Sequence, residues 1–462
     1  MLRRRPAEPR DSHDGGVGLA STIGPMLRLA FPVLGEQVLL MTVQLSDTIL
    51  TGRRLEETHL AAMSQMAYVM WFLTNLFVAV DSGATALVAR FVGAGDTQTA
   101  CRVTNQAFLL GVALAVCMTL VGLIFVEPLV GAMGLPDDAS ALAVHYLRIL
   151  LPSLPLMMTL SVGNACLRGA GDTVSGFVAM IAMNVVNVLV SWGLVCGWGP
   201  LPELGWDGVA IGTASGYSVG GLTMGARLIA GRCGLRLRWR LLWPDFDLAR
   251  RLLRIGLPAG ADVMTIVSCQ FWFKRIVNDL GSLAAAAHGV AISIESLAYL
   301  PATAFQVAAT TLAGQHLGAR NHRQALHSVL VACLAGVALM SAVSLSFFVA
   351  SQPLAWLFLS AEQAAVAERV AQLLRIVAIA LPALGVHMVL TGALRGAGDT
   401  RWPLAFSLFG MLVVRIPLAY WLTQSFDLGV AGAWYAMAAD IYVRCLLVVC
   451  RFVQGGWKRV EV

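Results

Sequence analysis

The sequence contains little charge and almost no lysine. Only 13% of its 462 residues are charged, against about 25% in soluble domains, and the lysines are Lys274 and Lys458. Hydrophobic residues make up 58% of the chain, and the mean hydropathy is +0.75. This composition excludes a disordered chain and a string of soluble domains. It indicates a polytopic membrane protein, because about twelve helices of about 20 residues would occupy roughly half of the chain.

Other absences exclude further classes. The nine cysteines are scattered and form no CxxC motif, so neither a disulfide framework nor a zinc site is expected. The net charge of +6 comes from arginines between apolar runs, without the basic aromatic face of a nucleic-acid binder. HExxH, GxSxG and GxxxxGK[ST] are absent, which argues against a membrane-embedded enzyme and direct ATP drive. The N-terminus lacks a signal-peptide pattern, so the first apolar run is expected to remain as a membrane helix.

Twelve apolar runs are long enough to span a membrane, and they predict an all-α protein of two six-helix bundles around a central cleft. They lie near 27–50, 65–90, 104–126, 141–166, 175–198 and 208–230, and near 255–277, 286–313, 327–349, 370–394, 402–424 and 429–452. The predicted organisation is a basic cytoplasmic tail at 1–26, bundles at 27–230 and 255–453, an Arg-rich cytoplasmic linker at 231–254 and a cytoplasmic tail at 454–462.

The basic residues predict the orientation. Arginines gather at both termini and in the connections after the even-numbered runs, whereas the other connections are mostly acidic. Basic connections stay on the cytoplasmic side. Both termini of this multi-pass protein are therefore expected in the cytoplasm.

Four sequence anchors recur in order. RLAFP (28–32) returns as RIGLP (254–258), and TALVARFVGA (85–94) as TTLAGQHLGA (310–319); LRGAGDT (167–173) is repeated identically at 394–400, and GVA (208–210) returns at 429–431. These pairs are 226, 225, 227 and 221 residues apart, so the chain is a duplicated six-helix unit. An even number of spans per unit gives both halves the same orientation, which predicts parallel repeats that can rock about a cleft. This favours a transporter over a duplicated channel or scaffold.

The doubled LRGAGDT motif, the prolines near the start of spans one and seven, and the run IESLAYLPATAFQVAATTLAGQHLGA (294–319) resemble the multidrug and toxic compound extrusion (MATE) transporters over essentially the whole chain. The resemblance implies a non-enzymatic, monomeric multidrug efflux antiporter of the cell inner membrane that works by alternating access. It implies organic, often cationic substrates and no cofactor. The implied counter-ion is the proton, with sodium left open. A lipid-linked oligosaccharide flippase of the same superfamily is the alternative.

LRGAGDT itself is interpreted as a tight turn without chemistry. Gly169 and Gly171 can adopt the positive φ of a helix C-cap, Arg168 complements the helix dipole, and Asp172 or Thr173 can cap the next helix.

The first span carries two acids and two amides on one face. At 100° per residue, Glu36, Gln37, Gln44 and Asp47 lie within about 100° of one another, so this face should contact protein or water. Asp47 matches the aspartate that proton-coupled members of the family use. A carboxylate shielded from water can take up a proton from one side and release it to the other.

Further candidates follow from the family resemblance. Proton coupling is assigned to Asp47, Asn187, Ser191 and Glu295, although Ser191 stands where archaeal-type members have a second aspartate, and the counterpart of Glu295 in the first half is Met70. The sodium-coupled branch is expected to carry acids in spans seven and ten. Here the tenth span has only His387, and Asp262 in the seventh lies about one turn from the family position. The substrate cavity is assigned to Glu36, Gln37, Gln44, Asn184, Met70, Tyr299 and His387.

Three further groups of charged residues are interpreted as structural. Asp81 aligns with Gln306 of the other half, which indicates a helix-end role. Asp440 and Arg444 are spaced i, i+4 and are expected to pair within one helix. Arg415 either joins them or lines the cavity.

Overall fold

A computed structural model describes residues 19–131 and 137–460. In this part of the chain, twelve long helical segments follow one another in the predicted order. Those of the first half are α1 (Leu19–Arg54), α2 (Glu57–Leu76 and Val78–Gly93), α3 (Thr97–Gly131), α4 (Asp137–Leu150 and Leu154–Gly169), α5 (Val174–Cys196) and α6 (Trp206–Ala230). Those of the second half are α7 (Phe246–Asn278), α8 (Ser282–Gly318), α9 (His322–Val349), α10 (Ala364–Gly396), α11 (Arg401–Leu408, a π-helical turn Phe409–Arg415, and Ile416–Gln424) and α12 (Gly429–Gln454).

The helices extend beyond the predicted apolar runs. α7 begins at Phe246, inside the predicted linker 231–254, because the Asp245 side chain caps it by accepting hydrogen bonds from the N–H groups of Asp247 and Leu248. α1 begins within the predicted tail 1–26; residues 1–18 of that tail, with its four arginines, lie outside the described residues. Helical hydrogen bonding continues where polar side chains reach water, so hydropathy marks the hydrocarbon rather than the helix end.

Ten of the twelve segments have the length and apolar composition of a membrane span, judged over the described residues. The other two, α6 and α12, occupy the sixth position of each half. Their polar surface is hidden by neighbouring helices rather than exposed: Thr213 of α6 and Asp440 and Arg444 of α12 are buried. The predicted all-α, twelve-span fold is confirmed.

The sequence repeat has the same main-chain geometry in both halves. After α4, the N–H groups of Ala170, Gly171 and Asp172 donate to carbonyls of the last helical turn at 3.0, 2.9 and 2.8 Å. After α10, the corresponding distances are 3.0, 3.0 and 2.8 Å. Gly171 and Gly398 have φ of +92° and +85°, so the second glycine of each motif is required by a left-handed backbone. We call the end of the molecule that carries these two turns the turn end.

The two halves exchange helix ends at the turn end. In α1, the residues from Met26 to Val33 pack into the core of α8, α9, α10 and α12. In α7, Leu248, Leu252 and Ile255 pack into the core of the first half. A third core cluster lies entirely within the second half. The two lobes are therefore joined at the turn end and closed there.

Reciprocal glycine contacts allow this closure. A Cβ atom at Gly93 of α2 would overlap the Gln315 carbonyl of α8, and a Cβ at Gly318 of α8 would overlap the Arg90 carbonyl of α2. Two hydrogen bonds cross the same interface, from Gln315 Nε2 to the Gly169 carbonyl at 2.9 Å and from Thr311 Oγ1 to the Arg168 carbonyl at 3.0 Å. Without side chains at the two glycines, the backbones of the lobes come into direct contact.

We predict that Gly318→Ala disfavours the closed turn end, because its methyl group would overlap the Arg90 carbonyl. Gly289→Ala is the matched control on the same helix, since a Cβ there meets nothing within 4 Å. In a cysteine-free background, spin labels at positions 102 and 323 should be farther apart in Gly318→Ala than in Gly289→Ala. Identical distance distributions would contradict this account of the closure.

Candidate functional site

The structure sorts the carboxyl groups inside the membrane helices by their partners. Three form ion pairs with arginine, and three have no ion pair among the described residues. An ionised group in hydrocarbon is costly unless it is paired or functional. The paired acids are Glu36, Asp262 and Asp440, and the unpaired ones are Asp47, Asp81 and Glu295.

The arginine of each LRGAGDT motif pairs with an acid in the first helix of its own half. Arg168 Nη2 lies 3.7 Å from Glu36 Oε2, which also accepts a hydrogen bond from Asn164 at 2.9 Å. Arg395 Nη2 lies 2.5 Å from Asp262 Oδ2. Glu36 and Asp262 are 226 residues apart, so the ion pair is part of the repeat. The motif is a turn, as predicted, but its arginine points into the bundle to neutralise a buried acid.

Asp440 is held by two arginines. Arg444 donates from Nε to Oδ1 at 2.9 Å and from Nη2 to Oδ2 at 2.7 Å, which confirms the predicted pair within α12. Arg415 Nη2 reaches Oδ2 at 2.9 Å from the π-helical turn of α11. Gly410 leaves the space for this triad, because a Cβ there would overlap the Asp440 carboxylate.

Asp47 is buried and is held by neutral hydrogen-bond donors. Thr213 Oγ1 donates to Oδ2 at 2.9 Å, Asn187 Nδ2 donates to Oδ2 at 3.5 Å, and Ser191 Oγ donates to Oδ1 at 3.5 Å. Tyr146 of α4 adds an outer contact to the Thr213 hydroxyl at 3.4 Å. The structure thus brings together three of the four residues predicted for proton coupling.

Close packing of α5 on α6 builds this network. Cβ atoms at Gly212 and Gly216 would overlap Ser191 and Asn187, so these glycines let α5 approach. Thr213 was missed from the sequence, although Gly212, Gly216 and Gly220 have the small-xxx-small spacing that marks a tight helix interface. A polar residue beside such a stripe is held against the neighbouring helix, and that spacing could have identified Thr213.

The Thr213 hydroxyl can follow the protonation state of Asp47. It has one hydrogen and two acceptors within reach, Asp47 Oδ2 at 2.9 Å and the Val209 carbonyl at 3.1 Å. When Asp47 carries a proton, the Thr213 hydrogen can turn to Val209, and Oγ1 can accept from Asp47. Asn187 Oδ1 has no hydrogen-bond partner among the described residues and is a second acceptor beside the acid.

The family is decided by a comparison over most of the chain. The MatE family model matches residues 32–192 and 258–421. The chain belongs to the MatE family.

Relatives and solved structures agree with this membership. Multidrug resistance protein NorM of Burkholderia vietnamiensis is 30% identical over 430 residues, covering 92% of each chain. Probable multidrug resistance protein NorM of Thermotoga maritima is 27% identical over 442 residues, covering 95% of this chain and 93% of the relative. The Vibrio cholerae MATE transporter VcmN in its bent form has a TM-score of 0.85 at 23% identity, covering 94% of this chain and 97% of that one. The recognition from sequence is confirmed, and these names describe transporters and resistance proteins, not enzymes.

The residues predicted for the substrate cavity of this MatE protein lie in different environments. Glu36 is buried in its ion pair, and Asn184 is buried and bonds the Met180 carbonyl of its own helix at 2.9 Å. Gln37 is half-buried and Gln44 is exposed, so the predicted polar face of α1 is graded from a buried acid edge to an open amide edge. Met70 is half-buried against the core of the first half.

In the second half, Glu295 of α8 is buried and accepts one long hydrogen bond, from Tyr299 Oη at 3.5 Å. His387 of α10 is buried, and its Nδ1 has no partner among the described residues. Glu295 therefore resembles Asp47 in lacking a cation, but it has fewer donors around it.

Asp81 of α2 is half-buried and accepts from the Ser161 hydroxyl of α4 at 2.5 Å. Within residues 19–131 and 137–460, no group of three or more His, Cys, Asp or Glu side chains has the arrangement of a metal site.

We predict that Glu36→Gln destabilises the protein by about 1–3 kcal/mol, because it leaves the partly buried Arg168 without its acid. Adding Arg168→Gln should recover part of the loss, since the double variant has no unpaired charge. Thermal unfolding in detergent of the single and double variants measures this coupling. Strict additivity of the two substitutions would show that the ion pair contributes nothing.

Proposed function

We propose that this chain is a secondary active multidrug exporter and that proton uptake at Asp47 drives export. The observation that carries the proposal is a buried carboxyl group surrounded by neutral donors and without a cation among the described residues. Relatives named as multidrug resistance proteins over more than nine-tenths of both chains support the substrate class. The substrates are drug-like organic compounds, often cationic.

Protonation changes the hydrogen bonds between α1 and the α5–α6 pair. An ionised Asp47 accepts from Thr213, Asn187 and Ser191, whereas a protonated Asp47 donates one hydrogen bond. The reversal alters the contact of α1 with its neighbours in the first half, and α1 also packs into the core of the second half at the turn end. Proton uptake at Asp47 therefore acts on a helix that both lobes share, which is what alternating access requires.

The remaining acids support the proton over sodium as counter-ion. A hard cation prefers several oxygen ligands that include carboxylate. Asp262, the acid of α7, is already neutralised by Arg395. α10 offers His387 rather than a carboxylate in its membrane portion. We therefore place the coupling site in the first half and assign Glu295, which has no ion pair among the described residues, to attraction of a cationic substrate.

The charge inside the bundle also favours drug export over lipid-linked oligosaccharide transport. A flippase needs cationic groups for a diphosphate, but Arg415 and Arg444 are both engaged by Asp440. We further propose that the protein works as a monomer in the cell inner membrane, with the turn end and both termini in the cytoplasm, since arginine concentrates on that side.

We predict that Asp47→Asn stays folded and membrane-inserted but loses export driven by a pH gradient, because an amide cannot take up the proton. The matched control is Asp279→Asn, the same substitution at an exposed position between α7 and α8. Dye efflux from proteoliposomes is measured under a proton gradient and a sodium gradient, imposed separately. Wild-type efflux by Asp47→Asn under the proton gradient would refute the proposal.

A second prediction concerns Thr213. Thr213→Val removes the shortest hydrogen bond to Asp47 and should lower proton-driven efflux several-fold, because the acid loses both a donor and a switchable acceptor. Thr213→Ser keeps the hydroxyl and should retain most of the activity. Equal loss in both variants would indicate that the threonine methyl group, rather than its hydroxyl, matters.

A further inference from the structure

A small basic cavity lies at the turn end of the second half, outside the proposed transport site. Arg251 and Arg254 line it from the first turns of α7, and Arg401 lines it from the start of α11. The turn 398–400 and Val460 complete its wall, and the cavity measures about 200 Å³.

The cavity carries positive charge that the protein does not fully neutralise. Its one acid, Asp399, already accepts hydrogen bonds from Arg451 at 3.0 and 2.8 Å. Arg251 pairs with Asp247 at 3.0 Å. Neither Arg254 nor Arg401 forms an ion pair with a described residue, and both are exposed. An anionic group would find two unengaged guanidinium groups here.

An apolar groove continues from the cavity along α7. Arg254 borders both spaces, and the groove of about 400 Å³ is lined by Phe246, Leu253 and Leu257. Phe246 is 82% exposed and Leu257 is 58% exposed. The exposed Trp239, Trp243 and Trp402 on the same segments are typical of the membrane–water interface. Charge and apolar surface thus follow one another in the order of a phospholipid headgroup and its acyl chain.

The internal repeat supplies a comparison. At the offsets of the RIGLP and LRGAGDT anchors, the counterparts of Arg251, Arg254 and Arg401 are Pro25, Arg28 and Val174. The fold is built in the first half with only one of the three arginines. The cluster in the second half is therefore an addition to the architecture and not a requirement of it.

We propose that this cavity and groove bind an anionic phospholipid of the leaflet at the turn end. Arg254 and Arg401 hold the phosphate, and the stripe from Phe246 to Leu257 covers an acyl chain. Basic pockets between membrane helices on the cytoplasmic side are suited to such headgroups. The proposal does not depend on the transport function.

The test is thermal stabilisation of the purified full chain in detergent during titration with dioleoyl phosphatidylglycerol. Dioleoyl phosphatidylcholine and inorganic phosphate are titrated in parallel. Phosphatidylglycerol should stabilise the wild type at the lowest concentration. Each arginine near an anionic headgroup contributes about five-fold in affinity, so Arg254→Gln/Arg401→Gln should need roughly 25-fold more lipid.

The matched control, Arg102→Gln/Arg323→Gln, removes the same charge from exposed positions at the start of α3 and α9 and should behave as the wild type. Arg254→Lys keeps the charge and should retain most of the effect, whatever the stability of the double variant. Equal stabilisation by the two lipids would overturn the proposal, as would an unchanged titration of the Arg254→Gln/Arg401→Gln variant. Stabilisation by phosphate alone as strong as by phosphatidylglycerol would show a site for a free anion instead of a lipid.

Discussion

The cost of an ionised carboxylate in hydrocarbon constrains the structure. The chain carries little charge, and most of what lies inside the bundle is compensated at short range. Glu36 and Asp262 are neutralised by the arginines of the two LRGAGDT turns, and Asp440 by Arg415 and Arg444. Once these pairs are made, an acid such as Asp47, held only by hydroxyl and amide groups, is the exception that a functional account has to explain.

Duplication separates scaffold from function. Features present in both halves, such as the turns, the acid–arginine pairs and the reciprocal glycines, hold the two lobes together. Features present once are different in kind. At the offset of the first-helix anchor, Asp47 corresponds to Phe273, and Glu295 corresponds to Met70. The unpaired acids break the symmetry of the repeat, and we expect a gradient-driven cycle to depend on such asymmetric sites.

Local patterns in the sequence predicted the features that are local. The twelve spans follow from apolar runs, the repeat from constant offsets, and the LRGAGDT turn from its second glycine, whose φ is positive in both halves. The pairing of Arg168 with Glu36 joins residues 132 positions apart, and no periodicity encodes it. The π-helical turn that brings Arg415 to Asp440 shifts the face of α11, so a regular 3.6-residue period could not place that arginine.

The central claim is that one proton site in the first half is coupled to substrate movement through helices shared by both lobes. The most direct test is to impose a substrate gradient across proteoliposomes without an initial pH gradient and to follow the internal pH with a trapped dye. The account predicts proton movement opposite to the substrate in the wild type and none in Asp47→Asn. Substrate movement without proton movement, but with dependence on sodium, would contradict it.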